Sequence, residues 1–336
     1  MKQIAFAVFA AVTITLGSGC DTDDRPRSGT FTEVNEPRFT IVTTTGMITD
    51  VVRQIAGPDV RVIGLMKEDV DPHLFKPLRS DVVALNDADV VFYNGLGLEG
   101  QMETVLESIA SDGKPVRAVT NGIDDSELIR SEEAGSHSAT DPHVWMSPKL
   151  WRQAIAVVVE TLSNHDPDHS GEYEQAAEKY LSQMSVLDEY IEQSINSIPE
   201  PQRQLVTAHD AFAYFGRRYG IEVKAVQGIT TEAEAGVADI NRLVDFIVEN
   251  EIPAVFVETT ISPQTVRAMV EGAADRGKQV AIGTDLFSDA MGPTGTYEGT
   301  YLGMLDHNAT VITRALGGTA PVDGRVGKLT ILPESK

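Results

Sequence analysis

The chain is poor in three things: cysteine, basic residues and long apolar runs. One cysteine, Cys20, occurs in 336 residues, which excludes an intramolecular disulfide and any thiolate metal cluster. Twenty-seven Lys and Arg stand against 50 Asp and Glu, a formal charge of −23. Such a surface repels nucleic acid and anionic headgroups, so neither is an expected partner. Beyond the first twenty residues no stretch is apolar enough to span a bilayer.

The N-terminus is a leader rather than part of a fold. In MKQIAFAVFAAVTITLGSGC, Lys2 precedes an apolar run from Ile4 to Leu16 and then small residues. The run is the length of a secretory signal core, too short for a membrane span. Cys20 follows at once, an arrangement similar to a bacterial lipoprotein signal whose cysteine is lipidated; Gly17 stands where Leu is usual, with Leu16 one place back. Residues 21–38 are polar and rich in turn formers, and read as a tether. The remaining 300 or so residues exceed what one core usually organises, so two domains are expected.

From Phe39 short β-branched segments alternate with helical periodicity. FTIVTTT, VRVIGLM, DVVFYNG and PVRAV read as strands, with helices over GMITDVVRQIAG, RSDVVALNDA and LEGQMETVLESIA. The same grammar returns in QLVTAH, EVKAV, PAVFVETT and KQVAIGTD, with helices at DAFAYFGRRYG, VADINRLVDFIVEN, SPQTVRAMVEGAADRG and YEGTYLGMLDHNATVITRALG. Strands alternating with helices predict parallel sheets covered on both faces. Between the halves lie two strandless helical stretches, Pro148 to Ser163 and then GEYEQAAEKYLSQMSVLDEYIEQSINS, about seven turns long. A helix of that length makes a stiff spine. The tail after Gly317 reads as loosely held.

Seven histidines are present, and two follow the same dipeptide: DPHLFKPLRSD from Asp71 and DPHVWMSP from Asp141. In parallel α/β sheets ligands bind beyond the carboxyl ends of strands. That rule selects His73 after VRVIGLM, His209 ending QLVTAH and Asp285 ending KQVAIGTD, while His143 precedes a helix that Ser147 and Pro148 start. Proline fixes its own φ and extends the residue before it, so Asp-Pro-His presents its ring from a stiff backbone. The aspartate can bond nearby backbone and tighten the loop. Such preorganisation suits a metal ligand. Glu258, ending PAVFVETT, points toward the same cleft by the strand-end rule, either supporting the ligands from behind or serving structure alone. His165 and His169 read as solvated turn residues, and His307 as part of the last helix.

These motifs, together with TAHDAFAYFGRRYGI, VQGITTEAEAG, GTDLFSDAMG and GTYEGTYLGMLDHN, resemble the metal receptors of bacterial ABC importers for manganese and zinc, from about Phe39 to Leu316. The resemblance implies that His73, His143, His209 and Asp285 ligate Mn²⁺ or Zn²⁺ as a transported ion. It implies an α/β fold of two lobes, each a parallel sheet flanked by helices, joined by one long rigid helix. The expected divisions are a signal peptide at 1–20, tether at 21–38, lobes at 39–168 and 199–317, linking helix at 169–198 and tail at 318–336. It further implies a monomer outside the cytoplasm, periplasmic or at the cell surface, anchored to a membrane through lipid on Cys20, with an ABC permease and its ATPase as partners. The short acidic segment SEEAGSHSATD holds one histidine, His137, where zinc-dedicated members carry a histidine-rich insertion. A hydrolase using the same cluster is the alternative from another class, and an adhesin a third. Four protein ligands leave little room for a reacting substrate, and no H-E-x-x-H motif occurs, so no enzyme is expected.

Overall fold

The computed structural model describes residues 36–111, 113–130 and 140–330. The leader with Cys20, most of the tether, the acidic segment with His137 and the last six residues lie outside that range. The first sheet orders its parallel strands β2-β1-β3-β4, from β1 (Thr40–Thr43), β2 (Arg61–Gly64), β3 (Val90–Tyr93) and β4 (Val116–Ala118). In the second half β5 (Gln204–Thr207) pairs with β6 (Glu222–Ala225), and β7 (Ala254–Val255) with β8 (Ala281–Ile282), again parallel. The Phe256 amide donates to Val206 O at 2.9 Å and connects the two pairs.

Alternation along the strands explains why both faces are covered. Ile41, Val90 and Phe92 enter one core, while Val42 and Val91 enter another on the opposite face. Leu205, Ala254 and Phe256 likewise turn away from Val206, Val255 and Val257. This two-residue period is that of a strand buried on both sides. The covering helices are α1 (Gly46–Ala56), α2 (Arg79–Asp87), α3 (Glu103–Ser111) and α4 (Pro148–His165) in the first half. The second half has α6 (Ala213–Tyr219), α7 (Val237–Glu249), α8 (Gln264–Asp275) and α9 (Tyr301–Ala315). Pro148 occupies the first turn of α4, where its missing N–H has no partner to lose.

The linking helix α5 runs 27 residues, Ser170–Asn196. Its buried positions Tyr173, Ala177, Tyr180, Met184, Leu187, Ile191 and Ser194 recur every three or four residues, a continuous apolar stripe. The stripe packs on α1, α4 and α9, so one core containing Ile41, Leu187 and Leu205 runs through both lobes.

Two boundaries differ from expectation. The tether is already engaged at Arg38, whose guanidinium meets Asp166 at 2.7 Å. The tail is not loose as far as Thr330. Asp306 of α9 is fully buried and its carboxylate accepts the Arg325 amide at 2.9 Å, while Ala320 and Leu329 are buried. A buried carboxylate needs donors, and the tail brings one; nothing in its apolar pattern signals this.

Candidate metal centre

Two of the candidate histidines follow the carboxyl end of a strand, and the third caps a turn that leads into a helix. His73 lies in the loop between β2 and α2, His143 just before the 3₁₀ turn Val144–Met146 that leads into α4, and His209 between β5 and α6. All three are buried. The two Asp-Pro-His loops share one local solution: Asp71 Oδ1 accepts the His73 amide at 2.9 Å, and Asp141 Oδ1 accepts the His143 amide at 2.9 Å. The loops diverge in the second use of the carboxylate. Asp141 also accepts from His143 Nδ1 at 2.7 Å, whereas Asp71 Oδ2 accepts the Thr231 hydroxyl at 2.6 Å.

The three rings meet, with centroids 4.9 to 5.5 Å apart. His73 Nε2 lies 3.3 Å from His143 Nε2. The fourth group of the cluster is Asp289: one ligand atom from each of His73, His143, His209 and Asp289 fits within 4.8 Å of the others. Its carboxylate is 3.2 Å from His143 Nε2, 3.6 Å from His209 Nδ1 and 4.0 Å from His73 Nε2.

Asp285 stands outside this group, contrary to the strand-end expectation. Its side chain is exposed and its carbonyl accepts from His307 Nε2 at 2.9 Å. The ladder does not stop at Ile282. Leu286 N donates to Val257 O at 2.8 Å and Leu286 O accepts from Thr259 at 3.0 Å, so pairing resumes past Asp285 and ends at Leu286. Asn308 then clamps Phe287 through both its N–H and C=O, and Trp145 Nε1 donates to Ser288 O at 2.9 Å. The residue delivered to the cleft is therefore Asp289, the second aspartate of GTDLFSDAMG.

Hydrogen bonds fix which ring atoms are free. His209 Nε2 donates to the Ile229 carbonyl at 2.9 Å; a carbonyl only accepts, so His209 Nδ1 carries the lone pair. His143 Nδ1 donates to Asp141, so Nε2 is the ring atom that faces the cluster, 3.2 Å from Asp289 Oδ1. The buried atoms here without a hydrogen-bond partner include His209 Nδ1 and both Asp289 oxygens. Buried polar atoms left unpaired are costly unless something else satisfies them, and a convergent set of lone pairs is what a divalent cation satisfies.

Charge follows the same logic. Burial raises the cost of charge on Asp289, but His209, His143 and His73 outweigh it and hold its carboxyl well below the usual range. Burial pushes His73 down to about 4 and also lowers His209. Burial acts against charge on His143 too, yet Asp141 and Asp289 outweigh it and raise its pKa to about 10.

Two buried glutamates hold the loops that bring the histidines together. Glu258 Oε1 accepts the His209 amide at 3.0 Å and Oε2 the Ala208 amide at 3.1 Å; burial pushes its pKa up to about 8. Glu99, which no local pattern in the sequence marks, accepts the Asn94 and Gly95 amides at 2.7 and 3.1 Å and the Thr44 hydroxyl at 2.7 Å. Asn94 Nδ2 then donates to Pro142 O at 3.1 Å, tying the network to the His143 loop. Of the remaining histidines, His165 is exposed against the Phe39 ring, His169 bonds Asp166 at 2.8 Å, and His307 is buried beside Phe287.

The profile of the family described as "Zinc-uptake complex component A periplasmic" matches residues 41–315. The Manganese-binding lipoprotein MntA of Bacillus subtilis (strain 168) is 42% identical over 316 residues, covering 94% of this chain and 98% of that protein. The Zinc-binding protein TroA of Treponema pallidum (strain Nichols) is 44% identical over 276 residues, 82% of this chain and 88% of that one. The solved structure of periplasmic TroA from Treponema pallidum superposes with a TM-score of 0.80 at 43% identity, covering 83% of this chain and 99% of that one.

Proposed function

Because the chain belongs to the family of the periplasmic component A of zinc-uptake complexes, we propose that it captures Mn²⁺ or Zn²⁺ between its lobes and delivers the ion to an ABC-type permease driven by its ATPase. The relatives named for manganese and for zinc support that pair of ions. The observation that carries the reading is the convergence of three imidazoles and one carboxylate with unpartnered buried atoms. In this reading the ligands are His73 Nε2, His143 Nε2, His209 Nδ1 and an Asp289 oxygen. A site of three nitrogens and one oxygen suits Zn²⁺ and accepts Mn²⁺.

The residues around the ligands do identifiable work. Asp141 keeps the His143 ring oriented and more basic, as a carboxylate behind a metal-binding imidazole does. The Ile229 carbonyl selects the His209 tautomer. Glu258 and Glu99 fix the backbone from which two of the rings project. Each glutamate is engaged by backbone amides, which supports a site that holds an ion over one that turns over a substrate. Lipidation of Cys20 anchors a monomer to the outer side of a membrane, and the name of the Bacillus subtilis relative, a lipoprotein, supports this. Chelator-stripped protein titrated with Mn²⁺ or Zn²⁺ should take up one ion per chain; no saturable uptake of either would sink the reading.

A further inference from the structure

Resting on that reading, we propose that Asp71 is the positioning residue that sets how long the ion is kept, through its bond across the cleft to Thr231. The four ligands are not held alike. The His143 turn is locked to the C-terminal half: Trp145 Nε1 donates to Ser288 O at 2.9 Å, Tyr301 Oη donates to Trp145 O at 2.8 Å, and Tyr214 Oη donates to Asp141 O at 2.8 Å. His209 is fixed by Glu258 and Ile229, and the Asp289 segment by Asn308 and Trp145. Release by any of these requires breaking buried bonds.

The His73 loop, Leu65 to Leu78, is different. Asp69 within it has φ of +60°, a left-handed conformation uncommon for a non-glycine residue. Leu74 and Leu78 are exposed at 51% and 67%. Beside it lies a cavity of about 410 Å³ whose walls include Met66, Glu68 and Val70 on this side and Asp289 and Met291 on the other. An element with few buried anchors beside open volume sits at the low-stability end of a fold.

Among the described residues, two side-chain hydrogen bonds join this loop to the C-terminal half. The Thr294 amide donates to Glu68 Oε1 at 2.6 Å, and the Thr231 hydroxyl donates to Asp71 Oδ2 at 2.6 Å. The second is the more consequential. The same Asp71 carboxylate holds the His73 amide through Oδ1, and the Thr231 loop also supplies the Ile229 carbonyl that fixes His209. One short path therefore runs from His73 through Asp71 and Thr231 to Ile229 and His209, joining a ligand of each lobe without passing through the ion. The His73 loop is the element that opens, and Asp71–Thr231 is its latch.

The test is release kinetics. Protein loaded with Zn²⁺ is mixed with excess EDTA and followed by tryptophan fluorescence, to which Trp145 contributes with its ring 5.2 Å from that of His143. Thr231→Val, isosteric without the hydroxyl, should release the ion about tenfold faster, the scale of one hydrogen bond to a charged group. Association should change less than about twofold, because a latch acts after the ion has bound. Thr231→Ser should restore the wild-type rate and Thr231→Ala should repeat the acceleration. Thr230→Val, at the exposed neighbouring position, should be silent. A Thr231→Val protein that binds Zn²⁺ but releases it at the wild-type rate overturns the latch while leaving ion capture intact. Acceleration that Thr231→Ser fails to rescue also overturns it. Wild-type protein that takes up no ion overturns the capture reading, and the latch with it.

Discussion

Moving from pH 7.5 to 8.5 should tighten Mn²⁺ binding about tenfold, although ordinary histidines have finished titrating by then. With His143 Nε2 as a ligand, as proposed, the ion needs its lone pair, but in the ion-free protein Asp141 and Asp289 hold that ring protonated up to about pH 10. Binding must therefore displace one proton from it at any pH between the ordinary histidine range and 10. The sign is set by competition: a raised pKa makes the proton the stronger rival, so affinity falls as pH falls. One displaced proton corresponds to about 1.36 kcal/mol per pH unit, hence the tenfold. His73 and His209, both shifted downward by burial, are already neutral at pH 7.5 and contribute no slope there. Three unperturbed imidazoles near 6.5 would instead give a nearly flat response above pH 7.5. Calorimetry in buffers of different ionisation enthalpy measures the proton directly: the expected release is close to one per Mn²⁺ at both pH values. Asp141→Asn removes the larger of the two charges holding the proton, so it should lower that release and weaken binding by roughly ten- to hundredfold. Pronounced proton release is the signature; equal affinity at pH 7.5 and 8.5 with no proton released would refute the assignment of His143.

Further outcomes follow from the same geometry. Glu258→Ala strands the buried amides of Ala208 and His209, so denaturant unfolding of the ion-free protein should show a loss of about 2–4 kcal/mol. His209→Glu replaces a nitrogen with oxygen ligands and should lower the Zn²⁺/Mn²⁺ affinity ratio, while His209→Ala weakens both ions; thermal-shift titrations report this through ligand-linked stabilisation, and an unchanged ratio would sink the softness argument. One core running along α5 through both lobes predicts little lobe displacement on loading. A large compaction in small-angle scattering between ion-free and loaded protein would contradict that.

Much of this was legible because sequence periods map directly onto faces. The alternation in FTIV and PAVFV reads as strands buried on both sides, and the three- and four-residue spacing of α5 reads as a spine. The convergence of His73 and His143 was legible for a related reason, since proline and an Asx turn act within three residues and Asp-Pro-His declares its own geometry; His209 was reached through the strand-end rule instead. Asp289 was not, because the strand-end rule requires knowing where pairing ends. Only the Leu286 bonds to Val257 and Thr259 reveal that the ladder resumes beyond Asp285; the local hint was a second aspartate following the buried run LFS. Glu99 and the tail share another kind of invisibility. A glutamate that gathers amides around Asn94, or an aspartate in α9 that captures Arg325, is recognised by partners remote in sequence or by burial, and neither leaves a periodic trace. The bond from Asp71 to Thr231 spans 160 positions and is of this kind too.

The most direct test of the site compares two aspartates four residues apart. Asp289→Ala and Asp285→Ala are each stripped of metal, and the ion bound per chain is measured after loading with Zn²⁺ and removal of excess. Asp289→Ala removes the sole carboxylate of the cluster and should fail to retain a stoichiometric ion, whereas Asp285→Ala, exposed and outside the cluster, should retain it as the wild type does. Retention by Asp289→Ala together with loss in Asp285→Ala would contradict the account.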